Sequence, residues 1–212
     1  MHTLNADEMV TAPGSDPNSP YRGLIYSIFQ IPRETRGGLV IAVTATHPGA
    51  GTTHVVRALS AELGSHPTNH IVRVDLTTLA GTVRSGEDLI YRTKQTWQPS
   101  VYEITPGIQV NGGEQLSSYW HASLDHRRDC IDRLAEQFQY VLFDCPSVCQ
   151  SGEALGIVSL VDGVLLVAEA NRTTKRELRY AEQQIDNAGG KLYGIVFNKQ
   201  RHCVPRWAQR LF

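Results

Sequence analysis

The chain has 212 residues, 41% of them hydrophobic and 19% charged, with a formal net charge of −1. That length and composition suit one α/β domain with a proper core and argue against a wholly disordered chain. The near-neutral balance creates no global field to recruit nucleic acid, and no basic stripe or aromatic platform marks a nucleic-acid reader.

No apolar run approaches the ~20 residues of a membrane-spanning helix. The N-terminus lacks a basic region followed by an apolar one, so no signal peptide is expected. Cys130, Cys145, Cys149 and Cys203 have no zinc-like spacing. Free, buried or half-buried thiols in a reducing cytosol are the expectation, and with them a cytoplasmic location.

In chain order, Met1 to Pro20 carries three prolines and one glycine and reads as a disordered N-terminal tail (residues 1–20) before a single domain at 21–212. Tyr21 to Phe29 has helical apolar spacing and predicts a short helix packed on the domain. Leu39 to Thr46 is nearly continuous in apolar residues, as expected of a parallel strand covered on both faces. A helix from Thr52 to Leu63 follows, stopped by Gly64. Ile71 to Leu76 is a second strand that carries Asp75. The region from Thr77 to Gly107 stays open, with a helix expected near Glu87 to Thr93 and a short strand at Ile108 to Val110.

Leu116 to Phe138 has a helical period, and Tyr140 to Asp144 is a strand ending in D-C-P. Val161 to Ala168 is a strand, Thr173 to Ala188 a helix, and Leu192 to Asn198 the last strand. The tail from Lys199 to Phe212 mixes basic and apolar residues. It predicts a terminal helix docked on the domain, with contact to a membrane surface or a partner as the alternative. Strands alternate with helices and every connection looks too long for a hairpin. The expected architecture is α/β, with a mostly parallel sheet and helices on both faces. Ligands in such sheets bind beyond the carboxyl ends of the strands, where Thr46, Asp75, Asp144 and Asn198 all fall.

Between the first strand and its helix, Pro48, Gly49, Ala50 and Gly51 leave the backbone free to curl around an anion. Successive N–H groups at the helix start would favour phosphate. Thr53 stands where a phosphate-binding loop places a hydroxyl on Mg²⁺. Against the G-x-x-x-x-G-K-S/T pattern there are two departures: Thr46 replaces the first glycine and Thr52 the lysine. Asp75 and Asp144 could hold Mg²⁺ or orient an attacking water or hydroxyl. The bland reading is that both aspartates, and Asn198, are turn residues at strand ends.

Taken together, these motifs resemble the P-loop ATPase domain of bacterial tyrosine kinases (BY-kinases) that regulate exopolysaccharide and capsule synthesis, within the wider MinD/ParA-type group. The likeness runs from Tyr21 to the C-terminus. Y-R-G-L at Tyr21 to Leu24 is similar to the family's Y-R-x-L. The family's hydrophobic-D-x-P-P strand has its counterpart in Y-V-L-F-D-C-P-S from Tyr140. V-D-G-V-L-L-V from Val161, T-T-K-R-E-L from Thr173 and G-I-V-F-N ending at Asn198 resemble the remaining signatures. The resemblance implies ATP or ADP with Mg²⁺ as cofactors. The implied nucleotide-binding set is Pro48, Gly49, Ala50, Gly51, Thr52, Thr53 and His54, with Asn198 against adenine. Thr53, Asp75 and Asp144 are the implied metal-side residues, and Asp75 the implied catalytic residue.

The departures set the expected function. The loop lysine is replaced by Thr52, and D-L-T-T-L from Asp75 keeps one aspartate of the family's D-x-D-x-R. The family's tyrosine-rich tail is missing, and its oligomer motif is reduced to Arg22, with Ser19 and Ile25 at the other places. A regulatory, catalytically impaired protein of polysaccharide synthesis and export is expected. It would partner the cytoplasmic end of a transmembrane chain-length protein, with assembly into a homo-oligomer as a further expectation. An active tyrosine kinase or ATPase, and a MinD/ParA-type positioning ATPase, are the alternatives.

Overall fold

The computed structural model describes residues 20–28, 37–66, 68–76, 93–95, 101–104, 109–110, 114–115 and 123–200. Helix α1 (Pro20–Ile28) opens on proline, whose fixed φ and missing N–H suit a first helical position. It packs on α2 (Thr52–Leu63), where Arg22 Nε donates to Glu62 Oε1 at 3.2 Å. Between them in the chain comes β1 (Leu39–Ala45), buried along its whole length.

Next come β2 (Ile71–Asp75), β3 (Thr93–Gln95), β4 (Val101–Ile104), β5 (Gln109–Val110) and β6 (Glu114–Gln115). Helix α3 (Leu124–Gln137) leads to β7 (Tyr140–Asp144), then α4 (Gly152–Val158), β8 (Gly163–Glu169), α5 (Lys175–Asn187) and β9 (Leu192–Asn198).

Seven strands form one sheet in the order β3-β4-β2-β7-β1-β8-β9, parallel from β4 to β9. Side chains alternate along β1. Val40 and Ala42 enter a core with Ile131 of α3, Ile157 of α4 and Ile185 of α5. Leu39, Ile41 and Val43 enter a second core with Val55, Val56 and Leu59 of α2. Helices therefore cover both faces, as the near-continuous apolar strands require.

The register brings the strand ends together. Asp75 and Asp144 are directly paired neighbours across β2 and β7, and Glu169 pairs with Asn198 across β8 and β9.

Several expectations need correction. Strand β3 runs antiparallel to β4, and β5 pairs with β6 as a separate antiparallel sheet, so some connections are short enough for hairpins. Thr93, expected to end a helix, begins β3; the rest of Glu87 to Thr93 lies outside the described residues. The helix expected from Leu116 begins at Leu124, with 116–122 outside the described residues and Gln115 in a strand. Helix α4 was not expected. Its seven residues are too short for a periodic signal, and a Ser151 cap on the Glu153 N–H starts it instead. The expected tail at 1–20, apart from Pro20, and the expected terminal helix beyond 200 also lie outside the described residues.

Candidate functional site

The turn between β1 and α2 is pinned at each end. Thr46 is buried, its N–H donates to the Val167 carbonyl at 3.2 Å, and its hydroxyl lies 3.3 Å from that of Thr173. Ala50 is fully buried and donates its N–H to His47 at 3.4 Å. Gly51 then takes the left-handed backbone (φ 101) that a residue with a side chain adopts only at a cost. As N-cap of α2 it offers no side chain to the first-turn N–H groups, and that turn carries no acidic residue. The orphan amides and the positive end of the helix dipole are therefore available to an anion.

Thr52 and Thr53 open α2 beside Asp144 at the end of β7. Burial pushes the Asp144 carboxyl above its ordinary value. A hydrogen bond from Thr53 pulls it down, the neighbouring Asp75 pushes it up, and Thr52 and the Arg57 charge pull it down again. Asp144 is only 5% exposed, and its Oδ1 has no hydrogen-bond partner among the described residues.

A buried carboxylate oxygen without a partner, next to a threonine hydroxyl and a second carboxylate, is a donor set suited to a hard, oxygen-loving cation. The residues present fit Mg²⁺, with Asp144 and Thr53 nearest to the role.

A cavity of about 430 Å³ opens against the loop. His47, Gly49 and Thr52 line one side, and Ser147, Gln150 and Glu153 the other. Ser147 is buried, and its Oγ has no hydrogen-bond partner among the described residues. Sequence reasoning passed over it; the signal was a serine after Cys145-Pro146, where the resembling pattern has a second proline. The loop bearing it is held in place: Thr44 donates to the Pro146 carbonyl at 2.6 Å and Val148 N–H to Ala45 at 3.1 Å.

Glu169 was also missed. Its Oε2 lies 3.2 Å from Lys199 Nζ, 3.2 Å from an Arg172 guanidinium nitrogen and 3.8 Å from His47 Nε2. Burial pushes its carboxyl up, but the hydrogen bond and charge of Lys199, with those of Arg172, outweigh this and hold it below its ordinary value. Acidic side chains at strand ends are common, so only the fold reveals this one as a hub.

The sequence-derived set thus converges in large part. Pro48, Gly49, Ala50, Gly51, Thr52, Thr53, Asp75 and Asp144 gather at one edge of the sheet. His54 is exposed on the first turn of α2. Asn198 reaches the loop itself, donating its amide to the Ala50 carbonyl at 2.9 Å. Further along α2, the Arg57 charge also acts on Asp144. Cys145 and Cys149 are free thiols, as expected. Among the described residues no helix is long and apolar enough to cross a membrane.

No family model matches the chain. It is 31% identical over 77 residues to a tyrosine-protein kinase CpsD of Streptococcus agalactiae, covering 36% of this chain and 34% of that protein. The chain therefore spans about a third of the length of that relative. A tyrosine-protein kinase CpsD of Streptococcus pneumoniae is 26% identical over 185 residues, 79% of each protein.

Among solved structures, the kinase domain of the Escherichia coli tyrosine kinase ETK shares the fold with a TM-score of 0.61. It is 18% identical, over 87% of this chain and 76% of that one. The septum site-determining protein MinD of Pyrococcus horikoshii, solved with Mg-ADP, gives a TM-score of 0.53 at 18% identity, over 82% of this chain and 77% of that one. In sequence the chain is similar to the CpsD tyrosine-protein kinases, and in fold to a bacterial tyrosine kinase domain and to MinD.

Proposed function

We propose that this chain is a cytoplasmic, kinase-like regulatory protein of exopolysaccharide or capsule synthesis that binds ATP or ADP and transfers phosphate slowly or not at all. The observation that carries the reading is the uncapped start of α2, with Thr52 and Thr53 beside the half-satisfied Asp144. Backbone amides of the turn, those of Gly51, Thr52 and Thr53 foremost, would hold the phosphates. Thr53 and Asp144 would hold Mg²⁺, with Asp75 next to them to orient a water or hydroxyl. The cation, when bound, neutralises phosphate charge.

Thr52 offers a neutral hydroxyl at the place of a cationic lysine. Losing one such well-placed donor costs roughly 3 kcal/mol in the transition state, or about a hundredfold in rate. Similarity to the CpsD tyrosine-protein kinases supports the pathway, and with it a partner at the cytoplasmic end of a transmembrane chain-length protein.

A second reading, a working kinase or ATPase, is favoured by Arg57, whose charge reaches Asp144 and could serve the phosphates in place of a lysine. Titration with a fluorescent ATP analogue, with and without Mg²⁺, followed by phosphate release, separates the two. Mg²⁺-dependent binding with little release is expected. Thr52→Lys is expected to raise affinity or to raise turnover by up to about a hundredfold. Ordinary kinase turnover in the unaltered protein supports the second reading. A Thr52→Lys protein that behaves like the parent means the turn does not cradle phosphate.

A further inference from the structure

We propose that Asn198 is a positioning residue: its side-chain amide latches the phosphate loop into its open form before any nucleotide arrives. The inference rests on the reading of the β1–α2 turn as a phosphate cradle, and it assigns Asn198 a role other than adenine contact. The amide nitrogen lies 2.9 Å from the Ala50 carbonyl, across 148 positions of sequence. Ala50 is therefore held on both sides, its N–H by His47 and its carbonyl by Asn198. The next residue, Gly51, turns left-handed against that amide, and a Cβ on Gly51 would collide with Asn198 Nδ2. The latch and the glycine are thus one fitted unit.

Asn198 is a suitable anchor because its own backbone is fixed. Its carbonyl accepts from Ala170 N–H at 2.8 Å, and it is in register with Glu169 of β8. Lys199 then turns left-handed (φ 57) and places its Nζ on Glu169. A buried carbonyl such as that of Ala50 needs a partner, and removing the donor leaves it unsatisfied. The loop would then spend more time in closed or irregular forms, so every ligand of the loop would bind more weakly.

The test compares the parent with Asn198→Ala and with Asn198→Asp, which keeps the size but removes the donor. First, amide hydrogen exchange across residues 50–55 is followed in nucleotide-free protein, with the β1 amides as a folding control. Exchange in the loop is expected to quicken roughly fivefold or more in both variants while β1 is unchanged. Second, affinities for ATP and for inorganic tripolyphosphate are measured, and both are expected to fall by the same factor.

Loop exchange that stays at the parental rate in both variants overturns the latch. ATP binding that weakens while tripolyphosphate binding does not also overturns it and restores the adenine role. Failure of the parent to bind either ligand would sink the phosphate reading alone, and the exchange experiment would still decide the latch.

Discussion

Asp144 shows how one side chain can set stability against function. Its carboxyl is pushed up chiefly by burial, so its folded value lies above its unfolded one. Between those two values the folded protein keeps a proton that the unfolded chain has released. Stability therefore falls as pH climbs through that window, and at neutral pH the ionised group is a net cost. A bound cation would remove the cost by completing the coordination of Oδ1.

Asp144→Asn is accordingly expected to raise the stability of the metal-free protein by roughly 1 kcal/mol, about 2–4 °C in Tm for a domain of this size. The same change should abolish the Mg²⁺-dependent part of nucleotide binding. Thermal melts with and without Mg²⁺ and nucleotide check both halves; an Asn variant that melts lower would show that the carboxylate is a structural asset. The residue identities at this site were readable in advance, because small residues after a buried strand and aspartates at strand ends follow local rules. Ser147, Glu169 and the latch by Asn198 were not, because each matters only through partners far away in sequence.

At the level of elements, the helices divide by how they begin. Helix α5 has a full capping box: the Thr174 hydroxyl accepts from Glu177 N–H at 3.2 Å, and Glu177 accepts from Thr174 N–H at 2.8 Å. Helix α2 begins on a glycine with no side-chain cap and relies on its buried face, Val55, Val56, Leu59 and Leu63. An end that must receive a ligand cannot also be closed by its own side chain.

Thr174→Ala should therefore cost about 1 kcal/mol of global stability, read by urea denaturation, while leaving nucleotide affinity unchanged. Loss of affinity in that variant would mean that α5 steers the site. The elements with strong periodicity, α2, β7 and β9, matched their expected bounds. The weakest readings fell on β3 to β6, where strands of two to four residues give too little alternation to separate them from turns.

For the whole molecule, the central strands join the two cores. Val40 and Ala42 serve one face and Ile41 and Val43 the other, while β8 divides in the same way through Val164 and Leu165. Neither face can be lost without exposing the other side of the same strands. Thermal unfolding of the described domain is expected to be a single cooperative transition, with calorimetric and van't Hoff enthalpies equal. Two resolved transitions would show that the α1–α2 layer unfolds separately.

The amino-acid order by itself determined that strands and helices alternate, that the strands are covered on both faces, and that a small-residue turn and two acidic strand ends would share one edge of the sheet. Those properties follow from local periodicity and from the chirality that parallel connections share. Only the tertiary structure decided that Asp75 and Asp144 stand side by side, that one carboxylate oxygen is left without a partner, and that Asn198 closes on Ala50. Strand order and register set which distant residues meet, and the chain folds to the arrangement that best buries both apolar faces at once.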